Sequence, residues 1–298
     1  MIPNRPLGVI PSPHDHRDYR LNKITSAKKA FPDLFTVPNL ISIPYDQGNS
    51  GACVAFSLKA IKEMQEELER GKYQAYSAAY IYGARESGDF KGEGMIPREA
   101  LGALRKRGVC REELMPGIYP YAVCNKMITP EMNKDALKQK IKTYAAVHTV
   151  EEVKTALMEL GPVTIGFQIY DSFFAGGHLH KPNPDVEKLH GFHMVTLVGW
   201  TRDNRWLILN SWGKDWGPLK GYCTIPFDYP IIEMWALTDR VADEKPEYEA
   251  YLLKSGPYWM LRFRGKFKSE SEARRLLLDP LNNDLNQVGK TILIRKKP

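Results

Sequence analysis

An α+β fold of two lobes, a helical one followed by a sheet one, with a small C-terminal extension, is what the order of hydrophobic patterns along this chain predicts. Three observations carry that expectation. Helical periodicity dominates between residues 52 and 141, and strand-like apolar runs dominate between residues 162 and 227. After about Val241 the composition turns charged, in ADEKPEYE. With 298 residues, 43% of them hydrophobic, the chain has apolar material for one large domain or for two lobes and an appendage.

Residues 1–45 hold Pro3, Pro6, Pro11, Pro13, Pro32, Pro38 and Pro44 without a sustained helical period, which predicts an extended arm lying on the folded body. From Ala52 the apolar positions Val54, Leu58, Ile61, Met64 and Leu68 recur every three or four residues, and Gly71 supplies a stop. A long helix is therefore expected to begin almost at Cys53. A second helix is expected over Pro97–Arg107, with proline at its start and Gly108 at its end, and a third over about 130–141. Thr149 and Glu152 make the capping box of a fourth, ending near Gly161. PVTIGFQI, HMVTLVGW, RWLILN and GYCTIPF then read as strands, and in the tail PYWMLRFR, SESEARRLLLD and KTILIRK read as strand, helix and strand. The boundaries that follow are an arm over 1–45 and a body over 46–241, with a helical lobe of about 46–145 and a sheet lobe of about 146–241. A small basic module occupies 242–298.

Charge and cysteine usage narrow the classes of function. The formal net charge is +7, yet the basic residues are dispersed except at 262–268 and 295–297, so a nucleic-acid partner is not expected. Trp259 and Phe263 among the arginines of the tail describe a plain amphipathic strand. The N-terminal stretch MIPNRPLGVIPSPHDHRDYR lacks the apolar run of a signal peptide, and no stretch of about 18 apolar residues occurs, so neither secretion by that route nor a membrane span is expected. Cys53, Cys110, Cys124 and Cys223 form no CxxC pair, which points away from a disulfide framework and a cysteine zinc site and toward a reducing, cytoplasmic setting. His178 with His180, and His190 with His193, have the spacing of metal ligands but no acidic or thiol partner nearby in sequence. No metal and no cofactor are expected. Ser211 lacks the GxSxG surroundings of a serine nucleophile.

Three segments carry chemistry. In Asp46-Gln47-Gly48-Asn49-Ser50-Gly51-Ala52-Cys53 a glycine-punctuated loop runs into a helix headed by a thiol. The amides of a helix N-terminus carry partial positive charge and favour thiolate, the nucleophilic form. Gln47 is placed to aim its side-chain NH2 at the same point, forming with those amides a donor pair for an oxyanion. In His190-Gly191-Phe192-His193 a histidine heads an apolar strand, and His193 is the better base candidate. In Leu209-Asn210-Ser211-Trp212-Gly213 a strand ends in Asn210, whose amide accepts an imidazole N–H without adding charge, while Trp212 covers that bond. Singly these residues read as a core thiol, a core histidine, a turn asparagine and packing tryptophans.

Together the segments resemble the papain-like cysteine peptidases, which keep histidine and asparagine far downstream of the cysteine. The order Gln47, Cys53, His193, Asn210, the stretch NSWG…WG…GYCTI, and DHRDY in the arm are similar to the bacterial-type members of that family. The resemblance covers roughly residues 8–240. It implies a two-lobed fold, a peptide or protein substrate, and roles for Gln47 in the oxyanion hole, Cys53 as nucleophile, His193 as general base and acid, and Asn210 as orienting amide. It further implies that Gly94, Met95 and Ile96 together with Phe192 border the main specificity pocket, the backbone near Gly94 pairing with an extended peptide. The family's CGSCW motif reads Ser50-Gly51-Ala52-Cys53-Val54 here, without the disulfide cysteine or the following tryptophan, and only 46 residues precede Gln47. Either readiness to act or gating by the arm or tail is consistent with so short a lead. Two other readings compete with hydrolysis: a catalytically silent binding protein on the same fold, and an acyl transferase that passes the thioester to an amine. The basic tail is a candidate for docking a protein partner.

Overall fold

The computed structural model describes residues 5–238 apart from 17, 19, 22–24, 26–29, 39, 42–43 and 71–72, together with two strands at 249–255 and 258–264. The chain divides into two compact units, Met1–Arg240 and Val241–Pro298.

Within the first unit everything is arranged around α1 (Cys53–Arg70). A sequence periodicity of apolar residues predicts one buried face, yet α1 is buried on all sides from Cys53 to Glu66. Val54, Leu58 and Ile61 enter the core of the helical lobe, whereas Ala60 and Met64 enter the core of the sheet lobe. Its polar residues survive burial because each finds a partner. Lys59 Nζ lies 2.5 Å from Glu112 Oε2, Lys62 Nζ 2.9 Å from Glu66 Oε1, and Gln65 Nε2 donates to the carbonyls of Leu160 and Leu237, both at 2.8 Å. Glu63 accepts from the Tyr45 hydroxyl and, at 2.7 Å, from the Tyr76 amide.

The helical lobe adds α2 (Ala78–Gly83), α3 (Pro97–Arg107), α4 (Tyr121–Met127) and α5 (Pro130–Ala136). α3 has the expected bounds, with proline at its start and Gly108 closing it. α5 stops earlier than the expected 130–141. At its end Lys138 and Gln139 bond back three residues, to Asp135 and Ala136, and the chain turns to bury Ile141 in the core. α2 lies wholly in the core, and without a polar face it gives no helical period to read.

The sheet lobe contains α6 (Val150–Glu159), started by the Thr149–Glu152 capping box, and an eight-stranded sheet. Its strands are β1 (Phe35–Thr36), β2 (Thr143–Ala146), β3 (Val163–Tyr170), β4 (Gly177–His178), β5 (Leu189–Trp200), β6 (Arg205–Leu209), β7 (Tyr222–Pro226) and β8 (Ile231–Thr238). The order is β2-β8-β3-β5-β6-β7-β4, with β1 also on β5. The four strands expected from the sequence are β3, β5, β6 and β7; β8 and β2 extend the sheet beside β3. Pairing of β3 with β5 is antiparallel and sets Phe167 opposite His193. The second unit contains an antiparallel pair, β9 (Glu249–Ser255) and β10 (Tyr258–Arg264). β10 coincides with PYWMLRFR, while SESEARRLLLD and KTILIRK lie outside the described residues.

Candidate active site

Cys53 is the first residue of α1 and is fully buried. The backbone amides of Met194, on β5, and of Gly8, in the arm, act to lower the pKa of its thiol. Met194 directly follows His193 on β5. That histidine is the fifth residue of β5, not its first, because the strand already begins at Leu189. It too is fully buried.

Nε2 of His193 lies 2.7 Å from Oδ1 of Asn210, the residue after β6. The same oxygen accepts from the Ser211 amide at 2.8 Å, which fixes the orientation of the Asn210 side chain. Oδ1 accepts only, so Nε2 carries the proton, and Nδ1 of the neutral ring is the basic nitrogen. Nδ1 is buried without a hydrogen-bond partner. The Trp212 ring lies 4.7 Å from the imidazole, centroid to centroid, and Phe173 and Trp216 pack around Trp212. That apolar cover keeps water from the His193–Asn210 bond.

Gln47 is buried in the loop before α1. Its Nε2 donates to Ser50 O at 2.8 Å and to Pro6 O at 3.1 Å, while its Oε1 accepts from Ser211 Oγ at 2.6 Å. Sequence reasoning weighed Ser211 only as a nucleophile and missed this bond; no spacing rule connects two residues that meet only through the fold.

Burial dominates the electrostatics. It pushes the Cys53 thiol up to about 11, against the lowering effect of the Met194 and Gly8 amides, and pushes His193 down to about 4, against the raising effect of Asn210. Thiol and imidazole are both neutral near pH 7 in this arrangement.

On the other side of Cys53, Met95 is buried beside Val9, and Phe192 packs against the same core. Met95 pairs with the arm through both its N–H and its C=O, donating to Gly8 O at 2.7 Å and accepting from Ile10 N at 3.0 Å. Gly94 donates instead to the Tyr82 hydroxyl, at 2.9 Å, and contributes by lacking a side chain. Its φ is +87°, and a Cβ there would lie 2.8 Å from Gly8 O. Ile96 is the N-cap residue of α3. His178 is engaged with Thr224 Oγ1 at 2.9 Å and His190 with Asp171 Oδ1 at 2.7 Å; among the described residues no three metal-ligating side chains converge. No helix among them is long and apolar enough to cross a membrane.

A helical lobe and a sheet lobe sharing one buried helix headed by cysteine make this the architecture of a papain-like cysteine peptidase. Residues 36–230 match the papain family cysteine protease profile, so the chain belongs to that family and is a peptidase, a hydrolase. Among solved structures it is similar to xylellain, a cysteine protease from Xylella fastidiosa, with a TM-score of 0.70 and 25% identity over 81% of this chain and 100% of that one. An uncharacterised peptidase C1-like protein of Acanthamoeba polyphaga mimivirus is 25% identical over 77% of this chain and 84% of its own length. Cathepsin B-like cysteine proteinase 2 of Haemonchus contortus is 32% identical, over 39% of this chain and 31% of that relative.

Proposed function

We propose that the chain hydrolyses peptide bonds of a peptide or protein substrate through Cys53, His193 and Asn210, with Gln47 in the oxyanion hole. The observation that carries this reading is the 2.7 Å bond from His193 Nε2 to Asn210, which leaves Nδ1 as the basic nitrogen beside the helix headed by Cys53. Nδ1 takes the thiol proton, and Sγ attacks the substrate carbonyl carbon. The negative charge that develops on oxygen is met by the Gln47 Nε2–H and the amides at the start of α1. His193 returns the proton to the leaving amine, and the C–N bond breaks to leave a thioester. Water, deprotonated by the same nitrogen, then releases the acid and restores the thiol. Met95 offers backbone pairing to an extended substrate, with Gly94 and Ile96 on either side of it and Phe192 across the cleft. Cys53, Cys110, Cys124 and Cys223 as free thiols support a reducing, cytoplasmic setting.

Intact-mass measurement after treatment with an epoxide thiol inhibitor tests the reading, together with turnover of a quenched peptide library. A single adduct on the wild type, absent from Cys53→Ala and strongly slowed in His193→Ala, is expected alongside hydrolysis that needs both residues. Hydrolysis that persists in Cys53→Ala would overturn it.

A further inference from the structure

We infer that Tyr82, the fifth residue of α2, is a positioning residue whose hydroxyl holds the backbone edge ending in Met95 at a set distance from the loop that presents Cys53. This rests on the peptidase reading, in which that edge pairs with an extended substrate. Residues 84–94, leading from α2 to Met95, form neither helix nor strand. All four cysteines are free thiols, so no disulfide fixes this stretch. Its shape therefore depends on hydrogen bonds that cross it. Tyr82 makes the central ones. Its side chain is fully buried, and its hydroxyl accepts from Gly94 N at 2.9 Å and donates to Glu93 Oε2 at 2.7 Å. Burial raises the pKa of the phenol, against the lowering effect of the Gly94 amide, so the hydroxyl keeps its proton for Glu93. Oε1 of Glu93 accepts from the Tyr121 amide at 2.8 Å, at the start of α4. The carboxylate is thus engaged through both oxygens and fixes the direction in which the hydroxyl points.

The same hydroxyl stands where two backbones meet. A Cβ on Gly51, two residues before Cys53, would lie 3.0 Å from Gly94 N and 3.3 Å from the Tyr82 hydroxyl oxygen. Gly51 and Gly94 pass close to each other with no side chain between them, and the phenol of Tyr82 is wedged beside both. Arg85, three residues on, grips the outer part of the loop. Its Nη1 donates to Phe90 O at 2.7 Å and to Gly92 O at 2.9 Å, and its Nε donates to Tyr82 O at 3.0 Å. Arg85 shapes the turn, and Tyr82 fixes the last amide before Met95. A substrate strand that pairs with Met95 gains equally in the ground state and the transition state, so a loosened edge raises KM and leaves kcat nearly alone. A substrate too short to reach Met95 does not feel the change.

Tyr82→Phe keeps the ring and deletes the hydroxyl. The variant, checked for folding by circular dichroism and thermal melting, is compared with wild type on two substrates: the best-cleaved tetrapeptidyl coumarin amide of a positional library, and the acetylated ester of its last residue alone. KM for the tetrapeptide should rise about fivefold, the loss of one hydrogen bond, with kcat little changed and ester turnover unaltered. Hydrogen exchange at the Gly94 amide, followed by NMR, should speed up by a similar factor. Glu93→Ala should shift both readouts in the same direction, and in the double variant the losses should not add, because both act through one hydroxyl. If Tyr82→Phe does not fold, Glu93→Ala, at the solvent-exposed member of the pair, takes its place in the same assays. An equal fall on tetrapeptide and ester, or unchanged exchange at Gly94, overturns the inference. Faster exchange at Gly94 with no hydrolysis by any form, wild type included, sustains the hold of Tyr82 on the edge and removes the peptidase reading.

Discussion

Ser211 Oγ donates to Gln47 Oε1 at 2.6 Å, while the preceding residue, Asn210, holds the His193 ring. Two consecutive residues after β6 thus orient both the amide proposed for the oxyanion and the proposed base. Ser211→Ala should free the Gln47 amide to rotate, leaving its NH2 group less often aimed at the developing charge. Loss of one hydrogen bond of about 1 kcal/mol corresponds to a fall of about fivefold in kcat. KM should change little, and steady-state kinetics on a peptide substrate would read the split.

Asn210→Ala removes the acceptor from a buried Nε2–H, whereas Cys53→Ala removes the nucleophile itself. The first should lower kcat by about 10- to 100-fold, the worth of a hydrogen bond to an imidazolium of about 1.5–3 kcal/mol. The second should abolish turnover and leave the melting temperature close to that of wild type. Equal losses in the two variants would mean that Asn210 does more than orient the ring.

The path of the chain through the site was largely legible in the sequence, because glycine loops, a helix start and strand ends all leave local signals. Cys53 at the head of α1, the bounds of α3 and the Thr149 capping box come from such signals. What stayed hidden depends on tertiary pairing. Lys59, Lys62, Glu63 and Gln65 are polar in sequence, yet all are buried, because Lys62 pairs with Glu66 one turn on and partners from other segments satisfy the other three. His193 reads as a strand head because the four residues before it are not apolar enough to show that β5 already runs through them. The arm's proline content announced an extended segment, but not that Gly8 would pack closely against the backbone of Gly51 and pair with Met95.

Acidification should expose the cost of the buried base. His193 has its pKa lowered by burial to about 4, below its ordinary 6.5. The unfolded chain therefore binds a proton that the folded one does not between those values, and stability rises with pH across that window and is lost as pH falls through it. A shift of that size corresponds to about 3 kcal/mol. Denaturant midpoints measured at pH 4 and pH 7 should accordingly differ more in wild type than in His193→Gln, which has no proton to take up. The same pH dependence in both proteins would show that His193 is hydrated in solution.

Ser57, one turn after Cys53 on α1, ties that helix to the sheet strands carrying His193. Its hydroxyl donates to Val195 O at 2.9 Å and accepts from Thr164 Oγ1 at 2.7 Å and from Thr196 Oγ1 at 3.1 Å. All of these groups are buried, and Val195 is two residues past His193 on β5. Ser57→Ala would leave two buried hydroxyls without that acceptor and one carbonyl without that donor. The expected cost is about 1–3 kcal/mol in denaturant unfolding, with the slope unchanged. Because the same hydroxyl sets the distance between the helix that presents the thiol and the strand that presents the base, kcat should fall in the variant even well below its melting temperature. A variant that loses stability but keeps kcat would show that the alignment of Cys53 with His193 does not depend on this hydroxyl.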